Sequence, residues 1–294
     1  MASVLEELSA AISAVSEAVA SSVVGVGRGG SGAVVGDGVV VTNAHNLRSE
    51  AVTVSFPDGR RVDGTATGVD GDGDLAVITV DTGDAPPLQL ADAGPRSGEV
   101  VVAFANPAGA GVRGSLGMVS AVDVSFRGPN GRMVTGAFEH TAPLARGSSG
   151  GPVVDSSGRV RGIDTHRVGD GFYLAVSAGA ELRARLDALA AGQAPHRPRL
   201  GIAVAPPHVA QQLRRSVGLP ERPGLLVHAV NAEGPAAAAG IGQGDLIVRV
   251  AGIDVADVDQ LARALEATQP AVPVAVDLVR GADEMTVTVL FPAS

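Results

Sequence analysis

Apolar residues near the start of the chain recur at intervals of three or four residues. This spacing places them on one face of a helix, in a stripe made of Leu5, Leu8, Ile12, Val15 and Val19. Ser3 and Glu6 stand three residues apart at its start, as in a capping box. We therefore predict an N-terminal amphipathic helix within residues 1–20. Because its polar face is not basic, we expect the stripe to dock on the protein body rather than on a membrane surface.

From residue 21 the apolar residues come in short runs separated by turn dipeptides such as Asp37-Gly38, Asp58-Gly59 and Asn130-Gly131. Such spacing favours antiparallel barrels or sandwiches. The predicted strands are Gly32–Val35, Val39–Thr42, Val52–Phe56, Leu75–Val80, Val100–Phe104, Met118–Val124, Pro152–Val154, Val160–Ile163 and Phe172–Val176. A helical pattern over Ala180–Ala191 ends this part of the chain.

Residues 192–198 are rich in proline and small residues, and we predict a linker there. A further unit over 199–294 mixes strand and helix patterns. Its predicted strands are Leu225–Val230, Asp245–Val250, Val274–Leu278 and Met285–Phe291, with helices at about 207–216 and 257–268.

Composition narrows the possible chemistry. The 294 residues include no cysteine, and all 22 basic residues are arginine, which excludes disulfides, thiolate chemistry and every lysine-dependent mechanism. A net charge of −9 argues against a nucleic-acid surface. No run of about 18 apolar residues is present, so we expect no membrane span. Acidic residues interrupt the N-terminal segment, so we expect no secretory signal and assign no compartment.

Three polar residues stand where a hydrolytic triad would need them. His45 follows an apolar run, Asp74 precedes another, and Ser149 lies in the glycine-rich stretch Gly147–Pro152. A hydroxyl becomes a good nucleophile when a base takes its proton and a third group orients that base. The order His, Asp, Ser along the chain is that of the two-barrel proteases. We predict these three residues to be catalytic.

Neighbouring residues offer competing assignments. Ser148 lacks the double glycine that follows Ser149, and His140 fits a strand of the pocket wall better than a catalytic base. Asp70 and Asp72 precede Asp74 at the spacing of a calcium loop, but Leu75 occupies the position that requires glycine. We predict neither a metal nor a cofactor. The amides of Gly147 and Ser149 are expected to form the oxyanion hole.

The chain resembles the HtrA family of trypsin-like serine proteases with a C-terminal PDZ domain. The resemblance covers nearly everything from Ser22 onward. It is carried by Val41–His45, Asp74–Val77, Ala105–Pro107, Gly117–Ala121, Gly147–Pro152, Arg199–Ile202 and Ala239–Ile247. It implies a mainly β fold with two trypsin-like barrels (about 21–104 and 105–178, within a protease domain at 21–191) and an α+β PDZ domain at 199–294.

The resemblance also implies a peptide-binding site in the PDZ domain. Backbone amides of Leu200, Gly201 and Ile202 would receive a C-terminal carboxylate, and Leu261 and Leu265 would contact the terminal side chain. Core packing is expected to account for at least one of these leucines. Family members often form trimers through N-terminal aromatic residues, whereas the first 55 residues of this chain contain none. Arg146 stands where the family commonly has proline, and it would either set an activity switch or point into solvent.

The predicted substrate pocket is neutral. The segment about six residues before the serine, where basic-specific proteases carry an acid, reads Ala142-Pro143-Leu144. With Ile163, these residues predict cleavage after small or medium aliphatic residues. We therefore predict a serine endopeptidase acting on unfolded or C-terminally exposed polypeptides. The alternative on the same fold is a proteolytically silent peptide-binding adaptor or holdase.

Overall fold

The computed structural model describes residues 3–128, 133–169, 171–193, 198–269 and 271–291. The chain divides into two compact units, Met1–Ala194 and Pro195–Ser294. Residues 194–197 of the predicted linker and the Asn130-Gly131 turn lie outside the described residues.

The N-terminal helix α1 spans Val4–Ala20. Ser3 caps it, and the side chains and amides of Ser3 and Glu6 exchange both hydrogen bonds of the predicted capping box. Val15 and Val19 are buried in the core of the first unit, whereas Leu5 and Leu8 are exposed. Docking of the apolar stripe is thus confirmed for the C-terminal half of the helix, and the prediction was wrong for its first turns.

Six strands close into the first barrel in the order β1-β2-β3-β6-β5-β4. They are β1 Val23–Val26, β2 Gly30–Gly36, β3 Val39–Thr42, β4 Ala51–Ser55, β5 Arg61–Asp70 and β6 Leu75–Thr79. β3 pairs antiparallel with β6, and Thr42 stands opposite Ala76. This register brings the loop after β3 beside the loop before β6, which matters for the site below.

The second barrel also has six strands, in the order β10-β11-β12-β9-β8-β7. They are β7 Val100–Ala105, β8 Arg113–Arg127, β9 Met133–His140, β10 Pro152–Val154, β11 Val160–Val168 and β12 Phe172–Ser177. The predicted boundary at 104/105 was wrong, because β7 pairs with β8 and β10. β7 therefore belongs to the second barrel. The apolar sequence of a strand does not show which barrel contains the strands that pair with it. Helix α2, Ala180–Ala190, then packs its leucines into the core.

The second unit is an α+β domain with a sheet of order β13-β14-β15-β17-β18 and a short strand, β16, beside β15. The strands are β13 Ile202–Val204, β14 Leu225–Val230, β15 Leu246–Val250, β16 Ile253–Asp254, β17 Val274–Arg280 and β18 Asp283–Val289. The helices are α3 Pro207–Ser216, α4 Pro235–Ala238 and α5 Val258–Glu266. These elements match the predicted mixture of strands and helices.

An ion pair between the half-exposed Arg280 and the buried Asp245 fixes one loop of the second unit. Arg280 donates to both carboxylate oxygens of Asp245 at 2.8 Å, and the Gly242 amide donates to Asp245 Oδ2 at 2.8 Å. Burial works to raise the pKa of Asp245, but these donors hold it below its ordinary value. The loop before β15 is therefore held by charge-assisted hydrogen bonds.

Across the described residues, none of the helices combines the length and apolar character that a membrane crossing requires.

Candidate active site

His45 and Asp74 meet at one end of the first barrel. His45 lies in the 3₁₀ helix Ala44–Asn46 directly after β3, and Asp74 directly precedes β6. The ring Nδ1 of His45 is 2.8 Å and 2.9 Å from the two carboxylate oxygens of Asp74. Asp74 is 1% exposed, while the His45 side chain keeps 34% of its surface open. The carboxylate therefore holds one ring nitrogen and leaves the other available to a ligand.

The backbone of Asp74 is fixed as firmly as its side chain. Its φ of +52° lies in the left-handed region, which Asp and Asn adopt more readily than most other residues. Asn43 Nδ2 donates to the Asp74 carbonyl at 2.8 Å, and the His45 amide donates to Asp74 Oδ1 at 3.2 Å. The loops after β3 and before β6 thus lock each other in place.

Thr165, on β11 of the second barrel, connects this pair to Ser149. Its Oγ1 donates to Asp74 Oδ2 at 2.6 Å, and its carbonyl accepts a hydrogen bond of 3.1 Å from Ser149 Oγ. The structure therefore brings the predicted His45 and Asp74 into direct contact and joins Ser149 to them through Thr165. Within the described residues, Ser149 Oγ makes no hydrogen bond to the His45 ring. Such bonds often tighten only when substrate binds.

The loop that carries Ser149 is clamped between the barrels. The Ser149 carbonyl accepts from the Ser31 amide at 3.0 Å and from Asn46 Nδ2 at 2.9 Å. Gly147 has a φ of +85°, and a Cβ there would lie 2.1 Å from the Gly29 carbonyl oxygen. Only glycine fits this position, because any side chain would strain the backbone and clash.

The predicted oxyanion donors are the backbone amides of Gly147 and Ser149. The Gly147 carbonyl accepts a hydrogen bond of 2.8 Å from Ser31 Oγ, which fixes the position of this peptide group. In the part of the chain that the structure describes, neither the Gly147 amide nor the Ser149 amide donates a hydrogen bond. Both N–H groups can therefore serve an external acceptor beside Ser149 Oγ.

A cavity of about 160 Å³ opens beside Ser149. Its lining includes Leu144, Arg146, Asp164, Arg167 and Tyr173.

Of the four residues predicted for the substrate pocket, Leu144 lines this cavity and the other three do not. Ala142 and Ile163 are fully buried in the hydrophobic core, and Pro143 is exposed outside the cavity. Ala142 packs against β8, where a Cβ on Gly117 would lie 2.2 Å from the Ala142 amide nitrogen. The chain therefore turns into the barrel at Ala142 and reaches the cavity only at Leu144.

A buried histidine–carboxylate pair contributes one of its members, Asp164, to the lining of this cavity. His140 Nε2 is 2.7 Å from Asp164 Oδ1, and both side chains are almost fully buried. Burial raises the pKa of Asp164, while the charge and hydrogen bond of His140 oppose that rise. His140 ends β9, the strand on which the sequence placed it, but its side chain is fully buried and does not line the cavity.

Three residues of the site were missed from the sequence. Thr165 follows the apolar run Val160–Ile163, and Asn46 directly follows His45, but neither residue type marks a site by itself. Asp164 interrupts the same apolar strand, and an acid inside such a run was the available signal, because buried acids need a partner.

Comparisons with known proteins agree with this architecture. A family model described as a trypsin-like peptidase domain matches residues 30–163, and a PDZ domain model matches residues 198–290. A relative in Brucella suis biovar 1, named as a DegP-like periplasmic serine endoprotease, is 34% identical over 275 residues, which are 88% of this chain and 52% of that protein. HhoA of Synechocystis sp., also named as a serine protease, is 32% identical over 88% of this chain and 69% of its own length. The chain thus spans about half the length of the Brucella relative.

Solved structures share the fold. A serine endoprotease from Yersinia pestis superposes with a TM-score of 0.70 at 26% identity, covering 95% of this chain and 96% of that one. The HtrA-type protease AlgW, solved with a decapeptide, superposes with a TM-score of 0.72 at 23% identity over 94% and 96% of the two chains. At that identity the second likeness concerns the fold alone.

Proposed function

Because this chain belongs to the HtrA family of trypsin-like serine proteases with a PDZ domain, we propose that it is a serine endopeptidase with His45, Asp74 and Ser149 as its catalytic triad. The observation that carries the proposal is the continuous set of hydrogen bonds from His45 through Asp74 and Thr165 to Ser149. It joins the histidine of one barrel to the serine of the other.

Each member of the triad has one role. Ser149 Oγ attacks the scissile carbonyl carbon, and His45 Nε2 takes the hydroxyl proton and then passes it to the leaving amine. Asp74 accepts the Nδ1–H of His45, which keeps Nε2 unprotonated in the resting enzyme and stabilises the imidazolium once it forms. The His45 side chain is 34% exposed and Asp74 holds only its Nδ1, which supports this role for Nε2.

The oxyanion of the tetrahedral intermediate is bound by the amides of Gly147 and Ser149. Their free N–H groups support this assignment, and preorganised donors of this kind are worth about 2.7–4 kcal/mol each in the transition state. The left-handed backbone at Gly147 and its close approach to Gly29 require glycine at this position of the loop.

Thr165 is expected to act as a positioning residue. Replacing it by valine removes the hydroxyl that donates to Asp74 Oδ2 but keeps the backbone carbonyl that accepts from Ser149. Because a displaced catalytic group costs roughly 10- to 100-fold in rate, we expect kcat/KM for a peptide substrate to fall at least tenfold. Thr165→Ser, which retains the hydroxyl, should recover most of the activity. A Thr165→Val enzyme as fast as wild type would contradict this role.

Substrates are proposed to be unfolded or C-terminally exposed polypeptides, captured in part by the PDZ unit. β13 lies at one edge of its sheet, so an extended peptide can add a strand there. Within the described residues, the amides of Leu200 and Gly201 donate no hydrogen bond, whereas their carbonyls are held by Ala236 and Asn231. This arrangement suits capture of a terminal carboxylate, together with the amide of Ile202. The structure of AlgW with a tripeptide, at 26% identity and a TM-score of 0.66, supports peptide binding by this fold.

The side-chain part of the predicted peptide site is less exposed. Leu261 and Leu265 are 8% and 3% exposed and belong to the hydrophobic core of the second unit. Core packing therefore accounts for both leucines of α5. A peptide would reach only the small part of Leu261 that remains open.

A proteolytically silent adaptor is the second candidate. It is favoured by one observation, namely that Ser149 Oγ is bonded to the Thr165 carbonyl rather than to His45. In that reading the PDZ unit binds peptides while the serine stays unreactive.

A fluorophosphonate probe and an unfolded model protein separate the two candidates. We expect the probe to label Ser149 in the intact chain and the model protein to be cleaved, with the sites read by mass spectrometry. Retained binding of a C-terminal peptide without any labelling or cleavage would contradict the protease and leave the adaptor. Labelling on another serine would overturn the assignment of Ser149.

A further inference from the structure

The cavity beside Ser149 is lined by one acidic residue, Asp164, that is not part of the proposed triad. Asp164 lines the cavity and is 2% exposed, and its Oδ1 is 2.7 Å from His140 Nε2. Its other oxygen, Oδ2, is buried and has no hydrogen-bond partner within the described residues. Buried polar atoms are nearly always paired, so this oxygen has the capacity to accept one further hydrogen bond.

The His140 ring packs against two aromatic rings. It stacks with Tyr173 at a centroid distance of 5.8 Å and tilts against Phe138 at 5.9 Å. These contacts restrict the imidazole, and through it the Asp164 carboxylate that it contacts. The His140–Asp164 pair is therefore a fixed polar group inside the barrel.

The backbone of Asp164 is hydrogen-bonded to the loop that carries Ser149. The Gly150 amide donates to the Asp164 carbonyl at 2.8 Å, and the Asp164 amide donates to the Gly151 carbonyl at 2.9 Å. Since Gly150 follows Ser149 directly, the distance between the acid and the nucleophile is set by two backbone hydrogen bonds. A substrate side chain that enters the cavity next to the attacked carbonyl would therefore find Asp164 at a fixed distance from Ser149.

We propose that Asp164, positioned by His140, is a specificity-determining residue that accepts a hydrogen bond from the substrate side chain preceding the scissile bond. The side chain that fits is small, neutral and hydroxyl-bearing, so threonine is preferred over the isosteric valine. This inference rests on the proposed protease function. It adds a polar requirement to the aliphatic preference that the sequence suggested.

A neutral donor suits the cavity better than a cation. Arg146 and Arg167 are among the lining residues, so an arginine or lysine side chain would enter against positive charge. His140 already faces Asp164 as its partner, and burial disfavours the charged carboxylate. A hydroxyl needs only the unpaired oxygen, with Leu144 and Tyr173 offering apolar surface to its methyl group.

The test compares internally quenched peptides that differ only in the residue before the scissile bond. With the full chain, we expect kcat/KM for the threonine peptide to exceed that for the valine peptide at least about tenfold, because a site built around a hydroxyl rejects the analogue that lacks it. The arginine peptide should be the slowest. Equal rates for threonine and valine, or faster cleavage of the arginine peptide, would overturn the proposal.

A double variant removes the whole His140–Asp164 pair, so neither residue is left buried without its partner. Replacing both His140 and Asp164 by leucine is often tolerated for such pairs, and we expect the threonine-to-valine ratio to fall to about 1 while the valine peptide is still cleaved. As a matched control, Glu99 and Arg161, paired at 2.7 Å on the same barrel, are replaced by leucine, and the ratio should not change.

The wild-type ratio tests the proposal even if the double variant fails to fold. The same preparation also separates failure of specificity from failure of the protease function. Cleavage of both peptides at equal rates, with Ser149 labelled by a fluorophosphonate, overturns the role of Asp164 alone. No cleavage of any peptide and no labelling of Ser149 overturns both proposals together.

Discussion

Replacing Ser149 by alanine is expected to lower kcat/KM for peptide hydrolysis by at least about 10⁴-fold. The reason is that the proposed reaction forms a covalent bond to Ser149 Oγ, and within the described residues no other hydroxyl donates to the Thr165 carbonyl. Binding and oxyanion contacts remain, so a small residual rate over the uncatalysed reaction is compatible with the assignment. Single-turnover cleavage of a quenched peptide measures this loss.

The fold should survive this substitution. Ser149 Oγ makes one hydrogen bond, to the Thr165 carbonyl, whereas the loop itself is held through backbone atoms that alanine retains. We therefore expect an unchanged thermal unfolding midpoint and unchanged binding of a C-terminal peptide. Ser156→Ala, on the exposed turn between β10 and β11, is the matched control and should keep wild-type activity. Wild-type cleavage by the Ser149→Ala protein would exclude Ser149 as the nucleophile.

The barrels were largely predictable because their apolar runs are short and regularly punctuated. Three barrel strands, β1, β5 and β9, were not among the predicted strands, and each of them contains glycine. On β5, Gly68 faces the backbone of α2, where a Cβ would lie 2.2 Å from the Leu189 carbonyl oxygen. A Cβ at Gly64 of the same strand would lie 2.8 Å from Ile78 Cγ2. The close packing of the fold requires these glycines. In the sequence alone, glycine indicates a turn rather than a strand.

The triad was predictable from the sequence for a different reason. His45 and Asp74 stand next to the paired strands β3 and β6, so the order of motifs already implied their proximity. The pocket was not predictable in the same way, because the path between Ala142 and Leu144 depends on where β9 ends and how the chain leaves the barrel. The His140–Asp164 pair joins strands β9 and β11, which lie on either side of β12, and no spacing in the sequence encodes that contact.

Replacing Asp74 by asparagine is expected to lower kcat/KM by about 10⁴-fold while the fold stays intact. The carboxylate accepts the Nδ1–H of His45, which leaves the Nε2 lone pair free to take the serine proton. An amide NH₂ at this position donates to Nδ1 instead and favours the tautomer with its proton on Nε2. That imidazole cannot act as a base toward Ser149.

The backbone gives asparagine a particular advantage as the test residue. Asp74 has a positive φ, and asparagine tolerates this conformation better than alanine would, so lost activity is not confused with backbone strain. Asp70→Asn is the matched control. Asp70 is buried and pairs with Arg185 at 2.9 Å and with the Gly73 amide at 2.8 Å, so its loss should lower the unfolding midpoint but keep kcat/KM within about tenfold of wild type at a permissive temperature.

The two variants together separate orientation of the base from stability of the loop. If Asp74 acts through the His45 tautomer, Asp74→Asn loses activity at a temperature where hydrogen exchange shows β3 and β6 still protected, and Asp70→Asn shows the reverse. An Asp74→Asn enzyme with near-wild-type kcat/KM would mean that His45 does not need this carboxylate. Equal losses of activity and protection in both variants would mean that the acids of this loop act only through stability.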